Sequence, residues 1–297
     1  MTLAAVSPAG PVDPDDFHTA VQTIEQAGFS IRSMPHVLNR AGFLAGSDEE
    51  RCFDLHEAFR DPDVDAVLCT RGGYGSMRLL PLLDYDLIAS NPKPMIGFSD
   101  ITSLQWALQQ RIGLISFTGP QLVKGWGEKL DAFSRDTWLD MLAGRLWGSE
   151  MPLPGKDKSL QVERHGYAKG PLAGGNLAVI AAMCGTGNSP QFSDCILLLE
   201  EIDEPPYRID RTLTQLAHAG AFEGVAGVLL GGFVQHAQGG RKDWTRLAAN
   251  RIMELIPGVP VLSGAPYAHV PPFWTLPLGA WMHLDAERGR VICEVER

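Results

Sequence analysis

The chain has 297 residues, of which 45% are hydrophobic and 20% charged, and a formal net charge of −10. That length allows one large or two ordinary domains with a sizeable core, and the composition is that of a soluble globular protein. The acidic balance, with no dense run of Lys and Arg, excludes nucleic acid as the main partner.

The N-terminal apolar run, Leu3 to Val6, lacks a basic flank and is too short for a signal peptide, and no apolar segment is long enough to cross a membrane. The five cysteines (Cys52, Cys69, Cys184, Cys195, Cys293) are scattered, with no Cys-x-x-Cys pair. They read as small hydrophobes in a reducing compartment, so the expectation is a cytoplasmic protein with no membrane partner.

Leu3 to Val6 reads as a first strand, followed by a turn through Ser7-Pro8-Ala9-Gly10-Pro11. Asp13 and Pro14 start a helix with apolar residues at Phe17, Ala20, Val21 and Ile24, which ends at Gly28. A strand from Phe29 to Met34 follows, then a capping box, Ser47 with Glu50, opening a helix that runs to about Phe59. Val64 to Thr70 is a third strand, apolar as buried parallel strands are, and leads into the loop Arg71-Gly72-Gly73-Tyr74-Gly75-Ser76 and a short helical stretch to Leu83. Pro94 to Phe98 is a fourth strand and delivers Ser99 to the start of the next helix, and Leu114 to Phe117 is a fifth. This alternation predicts an open parallel sheet flanked by helices, with ligands at the carboxyl ends of its strands.

After a helix from Ala132 to Leu142, the polar, turn-rich stretch 147–165 reads as a linker, giving an N-terminal α/β domain over 1–146 and a smaller C-terminal mixed α/β domain over 166–297. In the latter, a small-residue helix follows Gly170 to Leu177, and the apolar strand Cys195 to Leu199 ends in Glu200-Glu201. A helix from Tyr207 to Ala219, a strand from Val225 to Leu230, a helix from Thr245 to Leu255 and a strand from Val259 to Leu262 come next. Strands Ala280 to Leu284 and Val291 to Val295 close the chain.

Ser99, lifted off a strand end at a helix N-terminus, is placed as a nucleophile would be, although an isolated serine there is more often an N-cap. Glu200 or Glu201 at a strand end could orient an imidazole, where solvated strand-end charges are the commoner explanation. His269, in the Gly- and Pro-stiffened loop Gly264 to Pro272, is the candidate base and His236 its rival. The glycine loop at 71–75 could supply oxyanion N–H groups or cradle a phosphate, and it has neither a P-loop ending nor dinucleotide spacing. No His-Glu-x-x-His or Cys/His cluster suggests a metal, and the elbow Gly-x-Ser-x-Gly lacks its second glycine at Ile101. Arg71, Arg208 and Arg211 could each bind a substrate carboxylate.

Arg71-Gly72-Gly73-Tyr74-Gly75, Gly97-Phe98-Ser99-Asp100, Leu199-Glu200-Glu201, the helix from Tyr207 through Arg211 to Leu216, and Pro266-Tyr267-Ala268-His269 stand in the order found in LD-carboxypeptidases. The chain resembles these serine peptidases, which trim terminal D-alanine from murein tetrapeptides in peptidoglycan recycling and include the microcin C self-immunity peptidases. The resemblance covers nearly the whole chain. It implies Ser99 as nucleophile, Glu200 as orienting acid, His269 as base, the backbone N–H groups of Gly73 and Asp100 as oxyanion hole, a small peptide substrate, no cofactor and a homodimer. The chain departs from the family at Glu201, where Asp is usual, and at Ala268, where Gly is common. An immunity-type peptidase acting on an aminoacyl-nucleotide amide, and a non-enzymatic small-molecule binding protein, are the alternatives.

Overall fold

The computed structural model describes residues 1–128, 130–155, 159–237 and 240–294. These form two compact units, Met1–Leu130 and Asp131–Arg297.

The first unit carries five parallel strands, β1 (Thr2–Val6), β2 (Ser30–Ser33), β3 (Ala66–Cys69), β4 (Met95–Gly97) and β5 (Ser116–Thr118), side by side in the order β5-β4-β3-β1-β2. Helices α1 (Pro14–Gln26), α2 (Asp48–Arg60), α3 (Tyr85–Ser90) and α4 (Thr102–Ile112) connect them. The expected start signals work as chemistry: Asp13 accepts from the Asp15 N–H ahead of Pro14, and Ser47 and Glu50 satisfy each other's backbone N–H groups. Helix α3, six residues capped by Asp84, is too short to show a helical period and was not foreseen. The central strand β3 is buried throughout, and β1 is buried from Leu3 to Val6.

Chain order reverses between β1 and β3, since the chain leaves β1 for β2 on one side and returns to β3 on the other. Loops leaving the two strands diverge at such a point and leave a crevice at the strand ends. Here they are tied across it, Gly10 N–H donating to Gly72 O at 3.1 Å.

The second unit contains α5 (Ala132–Leu142), β6 (Gln161–Arg164), β7 (Tyr167–Asn176), α6 (Leu177–Ala182), β8 (Ile196–Ile202), α7 (Pro206–His218) and β9 (Gly227–Ala237). It continues with β10 (Gly240–Asp243), α8 (Thr245–Leu255), β11 (Val261–Ser263), β12 (Leu276–Leu278), β13 (Trp281–Asp285) and β14 (Arg290–Cys293). Its sheet runs β14-β13-β7-β8-β9-β11-β6, with β10 paired to β9; the four central strands are parallel and β14, β13, β6 and β10 antiparallel to their neighbours.

Three sequence expectations change. The second unit is not the smaller one, because α5 and the stretch expected as linker, 147–165, belong to it, and β6 occupies the end of that stretch by pairing with β11. Lys156, Asp157 and Lys158 of the linker, and Val295 of the last strand, lie outside the described residues. Strand β8 does not stop at Leu199: it runs through Glu200 and Glu201, which are 0% and 3% exposed, so neither is a solvated strand-end charge.

Arg51 on α2 is 2% exposed, donates through Nη1 to the carbonyls of Pro8 and Gly75, and pairs through Nη2 with Asp48. It thereby ties the loops after β1 and β3 to one helix. Arg51→Ala leaves these buried carbonyls without a donor and is expected to cost about 3–5 kcal/mol in the guanidinium unfolding midpoint. A loss under 1 kcal/mol would show that the loops hold themselves.

Candidate active site

In the first unit Ser99 opens a short 3-10 turn, Ser99–Ile101, between β4 and α4. Its φ is +65°, one of three non-glycine residues with positive φ among those described. That conformation costs on the order of 1–3 kcal/mol and is held only where the surroundings impose it. The 3-10 turn is capped at Phe98 and α4 at Ile101, so Ser99 occupies neither cap position, and the N-cap reading is corrected.

The missing second glycine of the elbow is accounted for by the first. A Cβ at Gly97 would overlap the Ile101 side chain, so the bulk at 101 occupies space that Gly97 leaves empty. A similar economy governs the glycine loop. A Cβ at Gly72 would lie 2.9 Å from Ser99 Cβ and 3.1 Å from Ser99 Oγ, so only glycine allows this backbone against the serine. Gly73, with φ +112°, follows directly.

Asp100 is 6% exposed. Its Oδ2 accepts from Ser76 N–H at 2.9 Å and its carbonyl accepts from Ser76 Oγ at 2.6 Å. The carboxylate thus anchors the far end of the 71–76 loop, a part that sequence reasoning, which looked only to the Asp100 N–H, had missed. Arg71 is half-buried, and its Nε is buried with no hydrogen-bond partner among the described residues. Its guanidinium lies beside Gly10 and Gly73.

In the second unit Glu200 Oε2 lies 2.8 Å from His269 Nδ1, and His269 is itself largely buried. Parallel pairing of β7 with β8 sets Asn176 directly opposite Glu200. The Asn176 amide nitrogen donates to Glu200 Oε1 at 3.0 Å and Glu201 Oε1 at 3.1 Å, while its oxygen accepts from the Val179 N–H at the start of α6. Asn176 carried no sequence signal beyond the Gly-Gly-Asn that precedes a helix. Glu201 has other duties, accepting from the Ala178 and Ile202 N–H groups, both at 2.8 Å.

The His269 loop is seated on β9 by glycines. Gly232 N–H donates to Tyr267 O at 2.9 Å, and a Cβ at Gly231 would overlap that same oxygen. The register between β8 and β9 slips between Leu199 and Glu201, which accommodates this approach. The rival His236 pairs with Asp203 at 3.1 Å, both more than half exposed. Arg208 pairs with Glu204 at 3.1 Å, and Arg211 packs over the Tyr207 ring at 5.4 Å.

Burial alone would lower the pKa of His269, but the charge and hydrogen bond of Glu200 outweigh it and hold the imidazole above its ordinary value. Burial, then the adjacent Glu200 charge, push the Glu201 carboxyl up to about 7, against its hydrogen bonds from Ile202, Asn176 and Ala178. Among the described residues no group of three His, Cys, Asp or Glu side chains could hold a metal ion, and no helix is long and apolar enough to cross a membrane.

The first unit holds a serine on a strained strand-to-helix turn against a glycine loop, and the second holds a histidine hydrogen-bonded to a carboxylate; these are the parts that a serine-type peptidase, a hydrolase, uses. Residues 3–119 match the LD-carboxypeptidase N-terminal domain and residues 169–284 the LD-carboxypeptidase C-terminal domain, and the chain belongs to the LD-carboxypeptidase family. It is 34% identical to a probable murein peptide carboxypeptidase of Bacillus subtilis, over 98% of this chain and 91% of that one. It is 38% identical to a murein tetrapeptide carboxypeptidase of Pseudomonas aeruginosa, over 78% and 76%. The microcin C7 self-immunity protein MccF of Escherichia coli is 27% identical, over 97% and 91%. Family membership sets aside the non-enzymatic binding protein.

An acid whose pKa rises on folding, as Glu201's does from 4.5 to about 7, binds more protons folded than unfolded. Its contribution to stability is therefore complete below about pH 4.5 and is lost as pH rises through about 7. Glu201→Gln does not titrate. The stability of the wild type relative to that variant is expected to fall by roughly 3 kcal/mol between about pH 4.5 and 7.5, read from denaturation midpoints. A pH-independent difference would contradict the assignment.

Proposed function

We propose that this enzyme hydrolyses the L,D-peptide bond that releases terminal D-alanine from murein tetrapeptides, in cytoplasmic peptidoglycan recycling, through Ser99, His269 and Glu200. The observation that carries the reading is the left-handed backbone of Ser99 beneath a loop that only glycine at 72 permits. The buried Glu200–His269 pair supports it.

Glu200 receives the Nδ1 proton of His269 as a hydrogen bond, which leaves Nε2 as the nitrogen that takes the Ser99 hydroxyl proton. The alkoxide attacks the scissile carbonyl, and the N–H groups of Gly73 and Asp100 stabilise the oxyanion. His269 returns the proton to the departing D-alanine nitrogen as the C–N bond breaks. Water, deprotonated by His269, then hydrolyses the acyl-serine ester. Of the three arginines, Arg71 fits the substrate carboxylate best, since Arg208 and Arg211 already have partners and Arg71 Nε has none among the described residues. Identity to the two murein carboxypeptidases, at 34% and 38%, exceeds the 27% to the immunity protein, which favours the peptide over an aminoacyl-nucleotide amide.

Ser99→Ala is expected to abolish D-alanine release from L-Ala-γ-D-Glu-meso-diaminopimelate-D-Ala while retaining the wild-type circular dichroism spectrum; full activity in that variant ends the proposal, and faster turnover of an aminoacyl-nucleotide amide by the wild type would select the alternative substrate. Because the base works unprotonated, kcat/KM should rise with pH through a value above the ordinary histidine pKa of 6.5. Glu200→Gln should move that limb to lower pH and lower kcat by on the order of a thousandfold or more, and Glu201→Gln should cost much less. Arg71→Met should raise KM for the free-acid peptide by about ten- to a hundredfold, the value of a charge-assisted hydrogen bond, and leave KM for a C-terminal amide unchanged. An equal rise for both substrates would assign Arg71 another role.

A further inference from the structure

We infer that Gln121, which no part of the reaction above uses, is the positioning residue that sets the oxyanion donor at Gly73 against Ser99; the inference rests on the proposed roles of those two residues. Gln121 follows β5 and is 2% exposed. Its Oε1 accepts from Gly72 N–H at 3.1 Å, and its Nε2 donates to Phe98 O at 3.1 Å. A single planar amide thus spans the glycine loop and the residue immediately before Ser99, with one acceptor and one donor meeting one donor and one acceptor.

The geometry transmits through peptide planes. In a trans peptide the N–H points opposite to the C=O. The Gly72 carbonyl, pinned by Gly10 N–H, shares its plane with Gly73 N–H, so holding Gly72 at both its nitrogen and its oxygen fixes where Gly73 N–H aims. The Phe98 carbonyl shares its plane with the Ser99 nitrogen, so the same amide fixes the entry into the strained turn. Gln121 is itself immobilised. Leu122 and Val123 donate to the carbonyls of Cys69 and Thr70 at 3.0 and 2.9 Å, and Trp126 N–H returns to Gln121 O at 3.1 Å. A rigid turn fastened to the end of β3 therefore carries the ruler that separates donor from nucleophile.

Two variants test this by steady-state hydrolysis of the same tetrapeptide, with the folded fraction measured by circular dichroism. Gln121→Asn keeps a neutral amide but is one methylene short. Gln121→Glu keeps the length and the acceptor but, when ionised, turns a second acceptor toward Phe98 O; when protonated it donates there again. Misplacing one oxyanion donor acts on the transition state and not on ground-state binding, and losing one outright costs about 10²–10³ in kcat. Both variants are expected to lose at least about tenfold in kcat per folded molecule, with KM within about twofold of wild type. The Gln121→Glu rate relative to wild type should recover as pH falls and the acid becomes protonated, which a purely structural role would not produce. A kcat within twofold of wild type in the folded Asn variant, or a loss in Gln121→Glu that does not change with pH, overturns the inference while leaving the peptidase reading intact. A wild type that releases no D-alanine overturns both.

Discussion

The first unit depends on one steric fact: the backbone at Gly72 lies against the Ser99 side chain, where a residue with a Cβ would not fit. A methyl group at position 72 would sit 2.9 Å from Ser99 Cβ, closer than carbon atoms pack. Because Gly72, Gly73 and Gly75 have no side chains to anchor them, the backbone there is held from outside, and each tie comes from a different part of the chain. Gly10 holds the Gly72 carbonyl, Gln121 the Gly72 nitrogen, Arg51 the Gly75 carbonyl, and Asp100 the Ser76 nitrogen. Glycine supplies the close approach at the cost of conformational freedom, and buried polar side chains remove that freedom again. The crevice between β1 and β3 is where such an arrangement can be built, because the loops diverge there and leave room for polar side chains between them.

The second unit solves a different problem, that of keeping two adjacent carboxylates inside a sheet. Glu200 has His269 and Asn176 as partners; Glu201 has two backbone N–H groups and the same asparagine. The two acids diverge in character because their surroundings differ. Glu200 meets the group that can carry a positive charge, whereas Glu201, desolvated and beside a like charge, is driven toward its neutral form. The choice between the two glutamates, ambiguous from strand-end position alone, is expressed here as a difference in contacts.

Most of the architecture was legible because buried parallel strands and capped amphipathic helices leave strong local signals. Helices α5 and α8 begin and end as their apolar spacing and flanking residues require. What escaped were elements whose reason is not local. Strand β6 exists because β11 offers it an edge, and β8 continues through two acids because Asn176 and His269 await them. Helix α3 and strand β12 are too short to declare a period. At the site, the serine, the glycine loop and the histidine loop stood out by composition and by their order along the chain. Gln121, Arg51 and Asn176 did not, since a polar residue reads the same in sequence whether it faces water or bridges buried backbone groups.

Asn176 divides its amide between two obligations. Its oxygen starts helix α6, and its nitrogen serves a pair of acids. Aspartate is as good a helix cap as asparagine, so hydrolytic loss of this one amide would leave the helix start intact and still bring a third carboxylate to a cluster that has a proton donor for two. A population of this enzyme that has aged at position 176 would keep its helix while its histidine dyad sat in an altered field, and the added buried charge would lower its melting midpoint alongside the change in mass.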